Sequence, residues 1–110
     1  MEYEHRSQYL HTMTQCMTDS MNLSATDCLL GIVPMFHAMG WGLPWSALML
    51  GCKQVMPHRF MDPARLIQLM VDESVSVSAG VPTIWQGLRA LFEADPGKYD
   101  LSSLSRVTCG

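Results

Sequence analysis

The residues best placed to do chemistry lie in one stretch, Val33-Pro34-Met35-Phe36-His37-Ala38-Met39-Gly40-Trp41-Gly42-Leu43-Pro44-Trp45. It delivers a histidine and aromatic side chains into a glycine-rich segment directly after an apolar run. A loop of this kind at the carboxyl end of a buried strand is where chemistry is expected. Two further segments share the position just after an apolar strand pattern. One is Gly80-Val81-Pro82-Thr83 and the other is Gly110, at the end of Arg106-Val107-Thr108-Cys109. No phosphate loop, dinucleotide fingerprint, nucleophile elbow or zinc-protease helix motif occurs. His5, His11, His37 and His58 are too scattered for a metal site read from spacing. Cys16, Cys28, Cys52 and Cys109 form no close pair, and each falls in an apolar stretch. They read as small buried hydrophobes in a reducing compartment.

The elements that must position these residues alternate along the chain. Tyr9, Leu10, Met13, Cys16, Met17 and Met21 recur at three- and four-residue steps, which predicts an amphipathic helix over 7–21. A polar turn over 22–27 precedes the unbroken apolar run 28–33, the pattern of a strand buried on both faces. A helix is expected from Pro44 to Gly51, then a short strand over 53–56. Asp62-Pro63 is a helix start with an acidic N-cap, and Leu66, Ile67, Met70 and Val71 form the inward face. Val75, Val77 and Ala79 alternate with serines as a strand does. A helix follows over 83–92, with Ile84, Leu88, Leu91 and Phe92 at helical spacing. After the turn Asp95-Pro96-Gly97, residues 106–109 begin a last strand. Strands separated by helices predict a parallel sheet covered on both sides, hence a three-layer α/β (βαβ) unit. Ligands of such sheets bind outside the carboxyl ends of the strands, where the three candidate segments converge.

Composition bounds the rest. The chain has 110 residues, 48% hydrophobic and 15% charged, with ten methionines and a formal net charge of -3. Such an apolar surplus on so small a surface fits a piece normally covered by more protein. A helix start within a few residues of Met1 and a strand ending at Gly110 fit that expectation, and self-association through a sheet edge and apolar faces follows from it. No basic stripe is available for phosphates, so nucleic acid is excluded as a partner. The polar N-terminus lacks a secretion signal, and the run 28–36 is too short to span a bilayer. A cytoplasmic protein is expected.

Five segments in order give the chain a recognisable likeness. Tyr3-Glu4-His5-Arg6-Ser7 resembles the Tyr-x-His-Arg segment of the AMP-forming acyl-CoA synthetases. Pro34-Met35-Phe36-His37 is similar to the Pro-hydrophobic-Phe-His motif of that adenylate-forming family. Gly51-Cys52-Lys53-Gln54-Val55 resembles its Gly-x-x-x-Val strand entry, and Ala79-Gly80-Val81-Pro82-Thr83 its Gly-Val-Pro-Thr element. Val107-Thr108-Cys109-Gly110 resembles the lead-in to its Gly-Gly-Ala motif. Trp41-Gly42-Leu43-Pro44 is most like the fatty-acyl branch.

The resemblance implies that residues 1–110 are an internal part of the large AMP-binding domain of a fatty acid–CoA ligase. Such an enzyme activates a fatty acid with ATP and Mg2+ to an acyl adenylate and then transfers the acyl group to coenzyme A. It implies that His37 is catalytic, beside the acyl carboxylate, and that Trp41 gates the acyl path. Gly80, Val81, Pro82 and Thr83 would line the acyl pocket, and Gly110 would approach the adenine. Residue by residue, the alternatives are a loop-capping His37, a core Trp41, Thr83 as an N-cap in a plain strand-to-helix turn, and a frayed Gly110. The family's phosphate loop, later adenylate motifs and small C-terminal domain are not in this sequence, and Glu4 stands where a small residue is usual. The 110 residues alone are therefore expected to be inactive, with no ATP, Mg2+ or coenzyme A bound. The competing functions are an aryl- or amino-acid-adenylating enzyme and a non-catalytic α/β binding module.

Overall fold

The computed structural model describes residues 2–110. Its elements run α1 (His5–Gln15), β1 (Cys28–Gly31), a one-turn segment α2 (Ala38–Trp41), α3 (Leu43–Leu50), β2 (Lys53–Val55), α4 (Pro63–Asp72), β3 (Val77–Gly80), α5 (Pro82–Ala94) and β4 (Arg106–Cys109). The four strands form one parallel sheet in the order β2-β1-β3-β4. Leu30 stands opposite Val55 on one side and Ser78 on the other, so β1 and β3 are interior strands. That interior position explains their composition, because neither face of a central parallel strand reaches water.

Helices cover both faces, and the three layers expected from the sequence are present. On one face Leu30, Ile32 and Val55 pack with Leu66, Ile67 and Met70 of α4 and Leu88 of α5. On the other face Leu29, Val33, Val77 and Ala79 pack with Leu43 and Ala47 of α3. Helix α4 starts as predicted: the Asp62 carboxylate accepts a hydrogen bond from the Arg65 backbone N–H at 3.1 Å, and Pro63 occupies the first turn. Leu66, Ile67 and Met70 are fully enclosed. Each stabilises the fold by roughly 1.5–3 kcal/mol relative to exposure. Val71 is only half-buried.

Two expectations need correction. The predicted helix over 7–21 ends at Gln15, and its apolar stripe does not face the core. Tyr9, Leu10, Met13 and Met17 are exposed, whereas Thr12 and Gln15 are buried. The periodicity was real, but a second stripe at the same spacing, Gln8, His11, Thr12 and Gln15, has hydrogen-bonding partners on the protein. Ser78, one of the serines alternating with Val75, Val77 and Ala79, is fully buried because β3 is interior, and its hydroxyl donates to the Leu30 carbonyl at 2.8 Å. The cysteines are all free, but only Cys28 and Cys52 are buried; Cys16 is intermediate and Cys109 exposed. None of the helices among the described residues is long and apolar enough to cross a membrane.

Candidate functional site

The order β2-β1-β3-β4 places a change of direction in the middle of the sheet. The chain leaves β1 outward to β2 through α3 on one face. It leaves β3 toward β4 through α5 on the opposite face. The connections therefore diverge between β1 and β3, and the carboxyl ends at such a point are where open α/β sheets bind ligands. The segment 32–45 rises from β1 at this point and Gly80–Thr83 rises from β3. The two are tied at their base, where the Ile32 N–H donates to the Ala79 carbonyl at 2.8 Å.

Segment α2 is a left-handed turn. Ala38, Met39, Gly40, Trp41 and Gly42 all have positive φ, between 44° and 71°. Three of the five are not glycine, and each such residue costs about 1–2 kcal/mol in this region. Strain of this kind persists only where the surroundings over-determine it. Here they do. The Trp41 carbonyl accepts hydrogen bonds from Nε2 of Gln15 at 2.6 Å and from the His11 ring at 2.9 Å. The buried Ser46 hydroxyl reaches both the Gln15 side-chain oxygen and the Gly42 carbonyl. Gly42 is required twice over: its φ is +71°, and a Cβ there would lie 2.6 Å from the His11 ring.

The turn aims Trp41 across the sheet. A Cβ on Gly110 would stand 3.0 and 3.3 Å from atoms of the Trp41 ring, so the indole lies against the end of β4. These two predicted site residues, one from the first strand's loop and one from the last strand's end, are brought together. His37 precedes the turn in extended geometry; its N–H donates to the Pro34 carbonyl at 3.0 Å and its carbonyl accepts from the Gly40 N–H at 2.9 Å. Its imidazole is exposed and makes no hydrogen bond among the described residues. Gly80 is buried and packs on Ile32 and Trp85. Val81, Pro82 and Thr83 lie on the open surface. Helix α5 begins at Pro82 with Val81 as its N-cap, so Thr83 is not the cap.

Besides a cavity of about 420 Å³ that Met39 lines together with α1 and α3, two cavities flank the turn. One of about 230 Å³ opens at the carboxyl ends of β1 and β2, with Gly31, Val33, Gly40, Leu43, Val55 and Met61 among its walls. The other, about 370 Å³, lies between α1 and the turn and is lined by Tyr3, Ser7, Gln8, His11, Ala38 and Trp41. The buried thiols of Cys28 and Cys52 are pushed up by desolvation, which removes them as nucleophiles at neutral pH. Sequence reasoning missed Gln15, His11 and Ser46, which hold the turn, and Trp85, whose indole N–H donates to the Gly80 carbonyl at 3.1 Å. The polar stripe of α1 was the available signal for the first two.

Residues 2–110 match the family model described as AMP-binding enzyme. The medium-chain-fatty-acid–CoA ligase of Ectopseudomonas oleovorans is 48% identical over 108 residues, which is 98% of this chain and 19% of that protein. The long-chain-fatty-acid–CoA ligase of Thermus thermophilus is 40% identical over 98% of this chain and 20% of its own length. Among solved structures, the inhibitor-bound N-terminal domain of FACL13 from Mycobacterium tuberculosis shares the fold with a TM-score of 0.80. At 21% identity it covers 98% of this chain and 26% of that one.

Proposed function

This chain belongs to the AMP-binding enzyme family, and we propose on that premise that it forms the acyl-handling part of the large domain of a fatty acid–CoA ligase. The reaction joins a fatty-acid carboxylate to the α-phosphorus of ATP with release of pyrophosphate. The thiol of coenzyme A then attacks the acyl carbon, forming the thioester as AMP leaves with the bonding electrons. One observation carries the reading: 48% identity to a fatty-acid–CoA ligase across nearly the whole chain, including the loop that aims Trp41.

In this reading the carboxyl ends of β1 and β3 receive the carboxylate end of the acid. His37, exposed on the segment that follows β1, has an uncommitted imidazole, fit to donate a hydrogen bond to the carboxylate as charge shifts. Trp41 controls entry of the acyl chain, Gly80, Val81, Pro82 and Thr83 border its path, and Gly110 lets the adenylate approach the sheet. Among the described residues no three His, Cys, Asp or Glu side chains gather. Free cysteines fit a cytoplasmic setting.

The test is a graft. The 108 matched residues of the Ectopseudomonas oleovorans ligase are replaced by those of this chain. The chimera should form fatty-acyl-CoA, and His37→Ala in it should lower turnover about a hundredfold or more while leaving its melting temperature near the parent's. Trp41→Ala should instead change the KM for the fatty acid and the chain-length profile, with the KM for ATP nearly unchanged. A folded chimera that ligates ferulate as readily as fatty acids would sink the substrate class.

A further inference from the structure

Helix α1 turns its polar side to the protein, and the consequence reaches the gate. Gln15 is buried, with 6% of its surface exposed, and both ends of its amide are engaged. Its Nε2 donates to the Trp41 carbonyl, and its oxygen accepts from the Ser46 hydroxyl. The held carbonyl belongs to the last non-glycine residue of a five-residue left-handed run. Without an external partner such a run relaxes toward right-handed geometry, because the Cβ atoms of Ala38, Met39 and Trp41 crowd the following carbonyls. Relaxation at Trp41 reverses the sign of its φ and so swings the indole away from Gly110.

We propose that Gln15 is a positioning residue for acyl selection: its amide, fixed by Ser46, holds the Trp41 carbonyl and thereby keeps the indole over the end of β4. Gln15 touches no substrate. It acts through Trp41, and its contribution to catalysis rests on the reading of Trp41 as the acyl gate. The clamp itself does not rest on that reading. The geometry suits a glutamine in the buried stripe of α1: its one planar group carries a donor for the carbonyl on one side and an acceptor for the hydroxyl on the other. It also explains the 2.6 Å approach that a Cβ at position 42 would make to α1, since the helix must press on the turn to deliver its amide.

The experiment separates the clamp from the gate. The chain is labelled with fluorotryptophan, giving three fluorine resonances for Trp41, Trp45 and Trp85, with that of Trp41 assigned by its loss in Trp41→Phe. Gln15→Met keeps the length of the side chain and removes both of its hydrogen bonds, leaving the Trp41 carbonyl only the longer one from the His11 ring at 2.9 Å. It should shift or split the Trp41 resonance and leave that of Trp85 unmoved, since Trp85 packs on the opposite layer. Ser46→Ala, which loosens Gln15 without deleting it, should move the same resonance in the same direction by less; it also serves if Gln15→Met does not fold. A Trp41 resonance that stays put in the folded variants overturns the proposal, even where the melting temperature falls. In the chimera, Gln15→Met should raise the KM for the preferred fatty acid about fivefold, the fold-change of one lost hydrogen bond, with kcat and the KM for ATP little changed. A moved resonance with an unchanged acyl profile would uphold the clamp and remove Trp41 from its role as gate.

Discussion

At the amino ends of the strands, one carboxylate ties the sheet together; at the carboxyl ends, a strained loop stands above the sheet. Asp27, 7% exposed, precedes β1 and gathers the starts of the other three strands. Its carboxylate accepts from the Ser76 hydroxyl at 2.8 Å and from the Arg106 guanidinium, and its backbone carbonyl accepts from the Lys53 N–H at 3.2 Å. The Ser24 N–H donates to the second carboxylate oxygen at 2.9 Å. Arg106 also donates to the carbonyls of Met21 and Asn22. The opposite end has no such staple. There the backbone is held in a left-handed turn by side chains of α1 and α3, and His37 and Phe36 face outward. The first end is tied by a buried carboxylate, whereas the second leaves the His37 imidazole exposed.

The largest expected effect breaks the satisfied end. Asp27→Ala leaves Arg106 without its counter-charge and Ser76 without its nearer acceptor, and should cost about 3 kcal/mol in urea unfolding. That is the lower part of the range for a broken buried pair, because Arg106 is 34% exposed. A loss below about 1 kcal/mol would erase the contrast between the two ends.

A smaller effect follows from acid. Burial pushes the Asp27 carboxyl up, but hydrogen bonds from Ser76, Ser24 and Arg106 and the charge of Arg106 outweigh it, and the net direction is down. A carboxyl lowered in the folded state adds stability that is fully present above its unfolded value near 3.8. That stability fades as pH falls through the lower folded value. The wild-type chain should therefore lose stability on acidification below about pH 4, and Asp27→Ala should show a flatter profile there. Parallel profiles for the two proteins would mean that the staple carries no linkage.

The smallest effect sharpens the other side of the comparison. Met39→Gly removes a left-handed strain of about 1–2 kcal/mol but adds about 0.5–1 kcal/mol of backbone freedom to the unfolded chain. The variant should range from equally stable to about 1 kcal/mol more stable. A clear destabilisation would show that the turn is not a reservoir of strain.

How much of this was legible beforehand differs by residue. The Asp62-Pro63 cap, the buried run of β1, the helix–strand alternation and the three-layer parallel class follow from local chemistry that any 110-residue chain with this pattern must obey. The family resemblance, too, is carried by short motifs whose order a linear sequence preserves. Strand order was not legible, because it depends on which connections pass over which face. The inward stripe of α1 was misread for a related reason. Tyr9, Leu10, Met13 and Met17 and the set Gln8, His11, Thr12 and Gln15 have the same helical period, and only packing against the turn at Trp41 decides which set faces the protein, with Thr12 and Gln15 buried. The staple at Asp27 lay out of reach as well, since its partners are 49 and 79 residues away in the chain. Periodicity and turn chemistry act between near neighbours and are written in the sequence. The pairing of distant polar groups, and the left-handed turn that such pairing holds in place, exist only once the sheet has brought them together.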